Sequence, residues 1–160
     1  MPIPKKVTNY LDKAKIKYKP ILHKTVYTAY DAAATMKAKL NEIPKVLHVL
    51  VDKKRHIIVV VPASYQVDFM KLKKALKAKK VELASEKVME KMFKVKAGAM
   101  TAFGGLYKDS EVLVDRAFSR AKRVIAGAGT YTDSLEMKTK DFLKATGGKL
   151  GVYGKARKKS

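Results

Sequence analysis

Lys45 and the segment from Gly98 to Gly104 are the two places where residue type and position suggest chemistry. Lys45 follows Pro44 at the mouth of the apolar run Val46-Leu47-His48-Val49-Leu50-Val51. A cation at the end of a buried strand can hold an anion at a cleft. It can equally do no more than open a strand in a lysine-rich chain. Gly98-Ala99-Met100-Thr101-Ala102-Phe103-Gly104-Gly105 is an unusual glycine-bounded loop. Neither its glycine spacing nor its flanks make a dinucleotide fingerprint. Further on, Gly127-Ala128-Gly129 lets the backbone approach something closely, or simply makes a turn.

Other catalytic patterns are missing. There are no cysteines, so disulfides, thiolate metal sites and cysteine nucleophiles are excluded together. His23, His48 and His56 lack metal-ligand spacing, and His48 reads most simply as a satisfied core histidine. No G-x-S-x-G, H-E-x-x-H or G-x-x-x-x-G-K-[ST] occurs. An enzyme with this sequence must work through backbone groups, bound water, one or two lysines, or the substrate itself. No metal or cofactor is expected.

The charge points to a partner. The chain carries 36 Lys+Arg against 14 Asp+Glu, a net charge of +22. Such an excess favours polyanions, RNA or DNA first, with solubility or host adaptation as the other reading. Most of it is lysine, which suits phosphate contact better than base readout. At 160 residues and 47% hydrophobic, the chain fits one domain with a real core. No apolar run reaches membrane-span length and no signal-peptide core is evident, so a cytoplasmic protein is expected.

The elements that must position these residues alternate in type. The spacing predicts a helix from Pro4 to about Lys15, with Val7, Tyr10, Leu11 and Ala14 inward. A strand is expected at Lys17–His23, with Pro20 putting it at an edge. Thr28-Ala29-Tyr30-Asp31 resembles a capping box that opens a small-faced helix. Pro44–Val51 and His56–Pro62 form a hairpin about a charged turn, and their continuous apolar character places them at the centre of a sheet. Asp68 caps a helix whose outer face carries Lys71, Lys73, Lys74 and Lys77, a candidate RNA-binding surface or a solvated face. Strands follow at Val81–Ala84, Val112–Asp115, Val124–Ala126 and Ser134–Met137. Ser85 caps a further helix, and Thr139 caps the last one, which runs to about Ala145. From Gly147 the chain reads as a flexible basic tail with Lys149, Lys155, Arg157, Lys158 and Lys159. The expectation is a single domain over 1–146, a tail over 147–160, and a mixed α/β fold. Its central sheet is largely antiparallel and surrounded by helices.

An ordered set of stretches resembles a known family. The set comprises Thr28–Ala33, Pro44-Lys45, Val61–Ser64, Lys79–Ala84, Gly98–Gly104, Val114-Asp115, and Gly129 through Ser134–Met137 to Phe142. Across about residues 5–145 the chain is similar to the YbaK-like aminoacyl-tRNA deacylases, which include the editing domain of bacterial prolyl-tRNA synthetases. The resemblance implies removal of wrongly attached amino acids from tRNA without metal or covalent nucleophile. A hydroxyl of the terminal ribose would help activate water. It implies that Lys45 contacts the tRNA 3′ end, and that backbone amides of the loop from Gly98, through Ala99, Met100, Thr101, Ala102 and Phe103 to Gly104, stabilise the oxyanion. Thr28, Gly127, Gly129 and Ser134 are then substrate-pocket candidates. Two departures stand out: relatives often have proline at Ala102 and serine near Gly127. Either alters the amino acid accepted, with a small one expected, or ends activity.

The leading expectation is a free-standing, monomeric trans-editing hydrolase acting on aminoacyl-tRNA, with or without a synthetase partner. The alternatives are a non-catalytic RNA-binding module of the same fold, and a basic protein acting on DNA or ribosomes through its tail.

Overall fold

The computed structural model describes residues 3–96, 98–107 and 110–157. Helix α1 (Lys5–Lys13) buries Val7 and Leu11 and leaves its lysines to solvent. Strand β1 (Lys19–Leu22) follows, with Pro20 on an edge strand as its missing amide requires. Helix α2 (Ala29–Thr35) starts where the Thr28 hydroxyl accepts the Asp31 amide at 3.1 Å. Its small face, Ala32 and Ala33, packs with Ile43, Ala63 and Ile125.

Strands β2 (Pro44–Val51) and β3 (Arg55–Pro62) pair antiparallel from Pro44↔Pro62 to Val51↔Arg55. Arg55 thus belongs to the strand and not to the turn. Asp52 and Lys53 make the turn at φ of 51° and 58°, the left-handed geometry that matches hairpin twist. The Asp52 carboxylate also accepts the amides of Lys79 and Lys80, which ties the turn to strand β5 (Val81–Leu83).

The continuous apolar pattern of this hairpin has its physical reason in two cores. Ile58 and Val60 pack with Val7, Leu11, Phe118 and Phe142 on one side. Val49, Val51, Ile57, Val59 and Val61 pack with Leu72 on the other. Leu72 comes from α3 (Phe69–Leu76), whose first amides are capped by Asp68. Strand β4 (Tyr65–Val67) lies between β3 and α3. Ser85 caps α4 (Glu86–Phe93) as expected, accepting the Val88 amide.

Strands β6 (Glu111–Asp115), β7 (Arg123–Gly127) and β8 (Asp133–Lys138) and helix α5 (Thr139–Thr146) complete the predicted elements. The central sheet has the order β5-β2-β3-β6 followed by β9 (Lys149–Gly151), antiparallel through β3 and parallel beyond it. A second, antiparallel sheet has the order β1-β8-β7. The fold is therefore mixed α/β, with mostly antiparallel pairing.

Two local expectations are corrected. Thr139 does not cap α5: Lys138 holds the cap position, and the Thr139 hydroxyl donates to the Ala121 carbonyl at 2.7 Å. The segment after Gly147 is not a loose tail over its described residues. Strand β9 (Lys149–Gly151) adds to the edge of the central sheet beside β6, and β10 (Gly154–Ala156) pairs with β4. The cause is Asp115, 3% exposed, whose Oδ2 accepts the amides of Tyr153 and Gly154 at 2.8 Å each. A buried carboxylate needs such donors, and the tail supplies them. Lys158 and Lys159 lie outside the described residues.

Candidate active site

A cavity of about 290 Å³ opens where the start of β2, the start of α2, the 98–102 loop and the β7–β8 sheet converge. Lys45, Gly98, Met100 and Ala102 line it together with Thr28, Gly127 and Ser134. Among the described residues Lys45 is the charged one of that lining, and no acid joins it. Its Nζ donates to the Tyr30 hydroxyl at 3.3 Å and lies 5.5 Å from the centre of the Tyr30 ring. The position follows from local sequence. Pro44 begins the strand directly after Ile43, and the Thr28 cap starts α2 so that Tyr30 faces the same cavity.

The glycine-bounded loop divides into two parts. The Thr101 amide and hydroxyl both bond the Tyr107 hydroxyl, at 2.7 and 2.9 Å, and the Phe103 amide donates to the Thr101 hydroxyl. The Ala99 amide donates to the Lys96 carbonyl. These amides are spent on the fold. Burial raises the Tyr107 hydroxyl pKa, partly offset by its bonds to Thr101. Met100 and Ala102 line the cavity, and among the described residues no acceptor takes their amides. Phe103 is fully buried in the core. At Gly104 a β-carbon would sit 2.2 Å from Val112 Cγ2 and 2.6 Å from the Thr146 carbonyl, so its role here is close packing. Ala99, Thr101 and Gly129 face a different cavity, beside α1 and Tyr107.

Gly98 has φ of +81°, and a β-carbon there would come within 2.8 Å of the Tyr27 carbonyl oxygen. A glycine is required on both counts. Gly127 is the opposite case: a β-carbon would meet nothing within 4 Å. The space for the serine of relatives is present and empty of side chain.

The sequence reading did not single out several residues of this site. Tyr30 and Tyr27 both line the cavity, and Tyr27 is 62% exposed with its ring 4.9 Å from that of Tyr131. The available signal was a pair of aromatics beside a helix cap in a strongly basic chain. His23 was missed as well. Its Nδ1 lies 2.7 Å from the Lys24 carbonyl and its Nε2 lies 2.9 Å from Ser134 Oγ. The carbonyl can only accept, so Nδ1 carries a proton and Nε2 is left to pair with the Ser134 hydroxyl.

Arg123 braces the site from behind. It bonds Glu42 at 2.8 Å and Glu136 at 2.9 Å, and so ties β7 and β8 to the turn that leads into Lys45. The hydrogen bond from Arg123 holds the Glu42 carboxyl below the usual carboxylate range.

The lysines of the candidate RNA-binding surface, Lys71, Lys73, Lys74 and Lys77, are exposed on or just after α3, and none of them lines this cavity. Among the described residues no three His, Cys, Asp or Glu side chains gather as a metal site. Among them, too, no helix is long and apolar enough to cross a membrane.

His48 is less satisfied than the sequence suggests. Its Nε2 shares a 2.8 Å hydrogen bond with His56 Nδ1, but its buried Nδ1 has no partner among the described residues. Burial, reinforced by the neighbouring His56, pushes its pKa down to about 4.

Fold and cavity together define an α/β domain with a small pocket whose described lining carries one cation, Lys45. The chain belongs to the aminoacyl-tRNA editing domain family, whose sequence profile matches residues 23–145. This agrees with the resemblance to YbaK-like proteins. No curated protein matches the chain. Among solved structures, a hypothetical protein named APE2540 superposes with a TM-score of 0.85 at 22% identity, covering 94% of this chain and 99% of that one. A candidate trans-editing enzyme for prolyl-tRNA synthetase superposes with a TM-score of 0.80 at 18% identity, covering 98% and 99%. At these identities the likeness shows the fold.

Proposed function

We propose that the chain is a free-standing hydrolase that removes a wrongly attached small amino acid from tRNA. The observation that carries this reading is the meeting of Lys45 with Met100 and Ala102 around one cavity, with no acid among its described lining residues. The pocket takes the aminoacyl group, and Lys45 holds the 3′-terminal phosphate or ribose as a fixed cation. Water attacks the ester carbonyl, and the bond to the ribose oxygen breaks as the tetrahedral intermediate collapses. The Met100 and Ala102 amides are the donors open to the developing oxyanion, each contributing about 3 kcal/mol if aimed at it.

Among the described residues no His, Asp or Glu lines the cavity. The proton of the attacking water is therefore relayed, through the neighbouring ribose hydroxyl of the substrate or through solvent, to the ribose oxygen that departs. An aminoacyl ester is already reactive, so positioning and charge stabilisation suffice. Tyr27, exposed at the rim, offers a face on which the terminal base can stack.

The test is release of amino acid from a panel of mischarged tRNAs, with Lys45→Ala alongside. Turnover of at least one tRNA that Lys45→Ala loses supports the reading. No turnover above background on any of them sinks it, and tRNA binding without turnover would instead mark a non-catalytic module.

A further inference from the structure

A second cleft, of about 390 Å³, lies between the turn Arg116–Arg120 and β10, separate from the cavity that holds Lys45. Lys71, Arg116, Arg120 and Lys155 line it, with Tyr65 beside them. Its acid, Asp115, is fully engaged. Oδ1 accepts the Ala117 amide, and Oδ2 accepts the amides of Tyr153 and Gly154, all at 2.8 Å. What the cleft presents to solvent is therefore cationic.

Two of the cations are held in place. Lys71 Nζ donates to the Gly154 carbonyl at 3.1 Å, and Arg120 donates to the Tyr65 hydroxyl at 2.9 Å. Arg116 and Lys155 are exposed, and neither pairs with a described carboxylate. Beyond β10 the chain reaches Arg157, whose guanidinium lies 4.6 Å from the centre of the Tyr30 ring. Tyr30 also bonds Lys45. At the usual strand rise, Lys155 and Arg157 are about 7 Å apart along the chain. A row of cations thus runs from the second cleft to the first.

We propose that this cleft binds the phosphodiester backbone of the substrate RNA, and that β10 leads its 3′ end to Lys45. An RNA backbone offers phosphates in series, as the cations here stand in series. A lone small anion would use one or two of them and leave the row unexplained. The direction of the strand rests on the deacylase reading, whereas the binding does not.

The experiment titrates uncharged tRNA against the full chain over a series of salt concentrations. The double variant Arg116→Gln, Lys155→Gln is compared with Lys53→Gln, Lys54→Gln, which removes the same charge from the exposed hairpin tip. The cleft variant is expected to bind roughly tenfold more weakly. The slope of log K against log salt should become shallower by about 1.5, and the tip variant should stay close to the parent. Neither the Arg116 nor the Lys155 side chain makes a hydrogen bond or ion pair among the described residues, and unchanged melting confirms the fold. Equal losses in both variants, no loss in the cleft variant, or no tRNA binding by the parent overturns the proposal. If the parent deacylates nothing but the cleft variant alone loses tRNA, the deacylase reading fails and the cleft stands.

Discussion

The Tyr30 ring meets two cations from distant parts of the chain: Lys45 bonds its hydroxyl at 3.3 Å, and the Arg157 guanidinium lies over the ring, 4.6 Å from its centre. This fixes Lys45 at the cavity with little contribution to the core, because its carbon stem is half-buried and Tyr30 is its hydrogen-bond partner. Lys45→Ala should lower kcat/KM for a mischarged tRNA roughly 10- to 100-fold, as expected for a lost charge-assisted contact. Its melting temperature should fall by less than about 3 °C. A large loss of stability would place Lys45 in the fold and not in the reaction. Tyr30→Phe keeps the ring and should cost only a few-fold in activity.

Gly98 and Gly127 should respond oppositely to a β-carbon. Gly98→Ala combines φ of +81° with a 2.8 Å approach to the Tyr27 carbonyl, so it should destabilise by about 1–3 kcal/mol and disturb the rim of the cavity. Gly127→Ser meets open space and should melt with the parent. It should narrow the pocket and shift kcat/KM against larger aminoacyl groups by roughly tenfold relative to small ones. Thermal melts and a size series of aminoacyl esters read both effects.

His48 sets an acid limit on stability. Its pKa in the fold is pushed down to about 4 by burial and then by His56, whereas an unfolded histidine titrates near ~6.5. Between these values the unfolded chain binds the extra proton and the folded chain does not. The stabilisation is thus complete above about pH 6.5 and is lost as pH falls toward 4, by up to about 3 kcal/mol. His48→Leu should flatten this limb in urea unfolding measured from pH 7 to 4. An unchanged slope would mean that His48 takes up its proton without cost.

Truncation after Gly148 should be costly. It removes β9 and β10, and leaves Asp115 with the Ala117 amide but without those of Tyr153 and Gly154. A buried carboxylate stripped of donors costs on the order of 3 kcal/mol. Differential scanning calorimetry of the shortened chain should show a fall of several degrees. A loose tail would leave the transition where it was.

The hairpin, the caps at Thr28, Asp68 and Ser85, and the family were legible in the sequence because each rests on local rules. Those rules are a run of apolar residues, a side chain three positions from an amide, and an ordered set of motifs. Lys45 gained its meaning in the same way, by its place among those motifs. Which amides of the 98–104 loop remain open was not legible. Thr101 is tied down by Tyr107, and Phe103 and Gly104 are consumed by packing against distant elements. Nor was the fate of the last residues. Composition alone reads Gly147 onward as a basic tail, yet Asp115, far back in the chain, draws its amides into the fold. The sequence by itself determined the elements and the family, because periodicity, capping and motif order are properties of neighbours along the chain. The tertiary structure alone decided which cation, amides and aromatic rings share one cavity, because that depends on contacts between residues far apart in sequence.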